Sequence, residues 1–125
     1  MRYKIIISIA SVLSLLNGLS FILLPAFSLS LLGRSTNSTG IMNARLFGAC
    51  ALGLALITWL GRNSESKEVR KLVAYGMLVT LALLVLVDIS GLVSGAVNSL
   101  GWLFFAADFS LSVALLVAIF TGGGV

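Results

Sequence analysis

The sequence predicts an all-α fold: a single polytopic membrane domain in which four helices form a bundle. Two observations carry that prediction. First, 59% of the 125 residues are hydrophobic and only 10% charged, with a mean hydropathy of +1.15. Soluble domains carry about a quarter charged residues. Second, the apolarity is concentrated in four windows, Ile5–Leu24, Ile41–Leu60, Val69–Ile89 and Leu100–Phe120. Each has about the 20 residues a helix needs to cross a hydrocarbon core. Runs such as "LVTLALLVLV" lack the period-two alternation of a membrane β-barrel. A helix, by contrast, satisfies its own backbone where lipid offers no partners. The residues left over are too few for a separate soluble core.

The first window follows "MRYK", which resembles the basic start of a signal peptide. The apolar stretch continues through "NGLSFILLP" without an A-x-A cleavage site, so a retained helix is expected. Pro25 should end it, because proline disfavours a helical residue before it. "GRSTNSTG" then reads as a polar loop. Asn37-Ser38-Thr39 within it is formally a glycosylation acceptor, read here as a coincidence. The second window holds Arg45, Gly48, Cys50 and Gly53. "GRNSESKEVRK" connects it to the third, which contains Asp88. "SGLVSGAVNS" leads into the fourth, which contains Asp108, and "TGGGV" reads as a tail.

Charge distribution predicts orientation. Arg2 and Lys4 precede the first span, and Arg62, Lys67, Arg70 and Lys71 flank the connection between the second and third. Four spans put these groups on one face, which the positive-inside rule makes cytoplasmic together with both termini. The net charge of +4 is thus mainly a topology signal. Glu65 and Glu68 interrupt the basic cluster, which suits local i,i+4 pairing better than a polybasic lipid switch. Trp59 and Trp102, near opposite ends of their spans, are expected to be interfacial anchors.

Several chemistries are excluded by residue type. There is no His, the commonest ligand for haem, copper or zinc. The lone Cys50 can form neither an internal disulfide nor a redox pair. Met1, Met42 and Met77 read as packing residues. No phosphate loop, nucleophile elbow or catalytic triad occurs, so neither an enzyme nor a cofactor is expected. No basic-aromatic pattern for nucleic acid occurs either.

The polar residues inside the spans remain. Asn17, Arg45, Asp88 and Asp108 fall at similar depth, toward the face opposite the basic clusters. An unpaired charge at mid-membrane costs about 2.5–3.5 kcal/mol on insertion scales. A shared network is therefore expected, with the Arg45 guanidinium donating to both aspartates. Gly101, Phe104, Asp108 and Ser112 share one face of the last span, making Phe104 and Ser112 candidates to face a ligand. Gly48 and Gly53 are expected at helix contacts, where small residues let backbones approach.

"LNGLSFILLPAFSLSLLG", "NARLFGACALGLALITWLGR" and "GWLFFAADFSL" resemble pieces of small four-helix membrane proteins of the DoxX-like kind. The resemblance covers most of the chain through apolar motifs. It implies equivalence for Arg45, Gly48 and Asp108, and membrane residence, with some members acting as subunits of larger membrane complexes. An accessory or scaffolding subunit in contact with membrane lipids, a larger complex or further copies of itself is the first functional expectation. A proton-coupled transporter, or a lipid- or quinone-binding protein using Arg45, Asp88 and Asp108, is the alternative. Small four-helix exporters carry an essential Glu where this chain has Asn17, which counts against the transporter.

Overall fold

The computed structural model describes residues 2–34, 36–122 and 125. Met1 and part of the "TGGGV" tail lie outside them. The described residues form helices joined by short turns and loops, and no strand occurs among them. Five helices follow one another: α1 (Arg2–Leu23), α2 (Pro25–Leu31), α3 (Ser38–Gly61), α4 (Lys67–Val93) and α5 (Gly101–Phe120). Four of them, α1, α3, α4 and α5, are long and apolar enough to cross a membrane.

Pro25 does end the first helix, and it also starts the short α2, which no predicted window covered. Proline suits that position because its fixed φ is helical and its missing N–H would have no partner there. At the break, Ser20 O accepts both Leu24 N (2.9 Å) and Ser28 Oγ (3.0 Å). The loop before α3 is shorter than the sequence suggested. Asn37 caps α3, its side chain accepting from Gly40 N at 2.8 Å. That role, satisfying an otherwise free N–H of the first turn, accounts for an Asn at this position. Ser66 caps α4 in the same way, through Val69 N. α4 also runs four residues beyond its expected end at Ile89.

The helices pair unequally. α1 packs most extensively on α3, and α4 on α5. The α1–α3 contacts run antiparallel. Tyr3 Oη donates to Gly61 O (3.0 Å), Ser11 Oγ donates to Ala55 O (2.8 Å), and Gly18 meets Gly48 further along. A Cβ on Gly48 would stand 2.9 Å from Gly18 O and 2.7 Å from Ile22 Cγ1. Only glycine allows that approach. The α4–α5 hairpin is joined by a loop whose Asn98 docks on the α2 turn, its N and Nδ2 donating to Leu32 O (2.9 Å) and Leu31 O (3.0 Å).

The two pairs share a hydrophobic core at one end, while at the other Asn98 holds the α4–α5 loop to the α2 turn. Tyr3, Ile7 and Ala10 of α1 pack with Val73, Ala74, Met77 and Leu81 of α4 and with Leu111 and Leu115 of α5. This core lies in the half of the molecule that holds the start of α1 and the end of α5. Between this core and the Asn98 contact at the α2 end, the pairs separate. Contacts between α3 and α4, and between α1 and α5, are sparse compared with those inside each pair.

Candidate functional site

Where the pairs separate, a cleft of about 380 Å³ lies among all four long helices. Its floor is the top of the core, Ala10, Met77, Leu81 and Leu111. Its walls are mostly apolar, with Asn17 and Asp108 as the main polar groups. The volume lies within the roughly 300–1,000 Å³ common for small-molecule sites. Leu16, Cys50 and Leu103 on its lining are exposed, so the cleft communicates with the surroundings. A more open depression of about 710 Å³ adjoins it at the α2 end, lined by Arg34, Asn37 and Asn43 among others. Phe47 belongs to both cavities, and its ring meets Phe21 edge-on at 5.1 Å.

Helical spacing places the cleft's polar residues. Ala10, Ser14 and Asn17 form one stripe of α1, and Phe104 and Asp108 one stripe of α5, as expected from their i, i+3, i+4 steps. Ser112 continues that stripe but does not reach the cleft. Its hydroxyl donates to the backbone O of Asp108 at 2.8 Å. Asn17 makes no side-chain hydrogen bond among the described residues, so its amide is available to an occupant.

The four intramembrane polar residues were expected to meet through Arg45, and the contacts fall differently. Asp88 and Asp108 are neighbours across the α4–α5 seam. Asp88 Oδ2 is buried with no hydrogen-bond partner. A carboxylate oxygen only accepts, so a bond between two carboxyl groups requires a proton on one of them. Arg45 lies elsewhere. It is exposed, and its Nε donates to Ile22 O (3.4 Å), one of the terminal carbonyls of α1. A cation at a helix C-terminus meets the negative end of the helix dipole and a carbonyl the helix leaves unpaired. Arg45 thus has a partner that does not require a carboxylate, which spacing along its own helix does not disclose.

Gly48 sits at the α1–α3 contact, whereas Gly53 is exposed with nothing within 4 Å of a built Cβ. Trp59 and Trp102 are both exposed, at opposite ends of the molecule. The Arg62 guanidinium stacks on the Trp59 ring at 3.4 Å, and Trp102 meets Phe105 edge-on. No group of three or more metal-ligating side chains occurs among the described residues.

These features define a class: a small all-helical protein with four helices of membrane-spanning length and an apolar cleft between two helix pairs. The chain belongs to the family described as a domain of unknown function, DUF8292, whose model matches residues 1–121. No curated protein and no solved structure matches it.

Proposed function

We propose that this is a non-catalytic membrane protein, a four-helix bundle with both termini cytoplasmic, that holds a lipid-soluble ligand in the cleft between its helix pairs. The cleft carries this reading. Asn17 and Asp108 offer hydrogen-bonding groups inside an apolar cavity, and in a bilayer no water is at hand to satisfy them. An amphiphile with a hydroxyl, amide or carbonyl head would meet them, while its apolar body replaces lipid against Leu13, Leu54 and Leu84. The test is native mass spectrometry of protein extracted in a mild detergent, with helicity checked by circular dichroism. The wild type should retain a bound apolar mass, and Ala107→Trp, which fills the cleft, should lose it. A folded Ala107→Trp that keeps the same mass would refute the reading.

A role as accessory subunit is the second reading, consistent with the DoxX-like resemblance. It is favoured by Gly53 and Gly76, which leave open space on the outward surfaces of α3 and α4 where a partner helix could approach closely. Co-purification of a stoichiometric membrane partner that Gly53→Leu abolishes would support it.

A further inference from the structure

We propose that Arg45 binds the phosphate of an anionic phospholipid at the membrane face near α2. The inference rests on the chain spanning a bilayer and is independent of the cleft.

Arg45 is exposed on a helix of membrane-spanning length, and the same face of α3 presents Met42, 59% exposed, and Ala49. That face looks outward to lipid, not inward to protein. Its height is given by its partner. Ile22, whose carbonyl accepts from Arg45 Nε, is one residue from the end of α1. Side chains on a helix tilt toward its N-terminus, which for α3 is the same end of the molecule. The Arg45 head therefore rises from within the span to the level where α1 finishes, the depth of phospholipid headgroups.

The remaining valence decides the occupant. Nε is used by Ile22 O, while Nη1 and Nη2 make no hydrogen bond among the described residues. A guanidinium presents those two nitrogens as a planar fork that matches two phosphate oxygens. Leu23 and Leu24, exposed by 68% and 56%, lie beside the Ile22 carbonyl and offer apolar surface to an acyl chain. An anionic lipid fits better than a zwitterionic one, whose ammonium group would sit close to the guanidinium.

The experiment is a lipid competition in native mass spectrometry, using delipidated protein in an uncharged maltoside detergent. Phosphatidylglycerol is set against phosphatidylcholine of the same chain length, with inorganic phosphate as a separate competitor. The basic residues of the opposite end, Lys67 and Lys71 among them, stay intact in every variant. The wild type should prefer phosphatidylglycerol, and Arg45→Gln should reduce that preference about tenfold, the loss of one charge-assisted pair. Arg45→Lys should retain only part of it, and inorganic phosphate should not displace the lipid. An undiminished preference in Arg45→Gln, no preference in the wild type, or displacement by inorganic phosphate would each overturn the assignment. Should Arg45→Gln fail to fold, Arg45→Lys decides, and an unchanged preference there overturns it. Failure to bind either lipid would instead fault the membrane reading underneath.

Discussion

At the residue scale, the proximity of Asp88 and Asp108 across the α4–α5 seam changes what the charges within the long helices can do. Asp108 also lines the cleft, with Asp88 as its neighbour. Their substitutions should be coupled. In unfolding measurements, Asp88→Asn combined with Asp108→Asn should depart from additivity by about 0.5–3 kcal/mol. Arg45→Gln and Asp108→Asn share no partner and should add within about 0.5 kcal/mol. Additivity at the aspartates, or strong coupling to Arg45, would contradict the arrangement. The residues themselves were legible in the sequence, because any ion inside an apolar run stands out. Their partners were not. In lipid both faces of a helix are apolar, so no amphipathic stripe reports how Arg45 and Asp88 are rotated about their axes.

At the element scale, the seam between α1 and α3 depends on glycine at Gly18 and Gly48. Gly48→Ala must push against Gly18 O and Ile22, and should destabilise by about 1–3 kcal/mol, the usual range for overpacking. Gly53→Ala meets nothing and should be neutral, or stabilising by up to about 1 kcal/mol through helix propensity. Unfolding of both variants in mixed micelles checks the contrast, and equal effects would show that the seam is not close-packed. The sequence placed both glycines in a lipid-embedded helix but could not say which one meets α1. The start of α2 was half legible: Pro25 marks the break, but nothing in the pattern announces that helix resumes over seven residues, with Ser28 bonded back to Ser20 O.

At the scale of the whole molecule, a tight core at one end and a cleft at the other make Cys50 a reporter. Its thiol is free, exposed and on the cleft lining. A small apolar maleimide should label it in membranes, a bulky charged one should not, and Ala107→Trp should slow the first reaction severalfold. Labelling by the charged reagent at an equal rate would mean that the cleft opens to water instead of lipid.

Composition and segment length alone determined that the chain is helical with four spans' worth of apolar sequence, because backbone satisfaction in hydrocarbon leaves few choices and the count follows from length. The cleft, the paired carboxyls and the capping role of Arg45 were decided only by tertiary packing. Each depends on the rotation and separation of helices, and apolar side chains of one kind on every face carry no record of either.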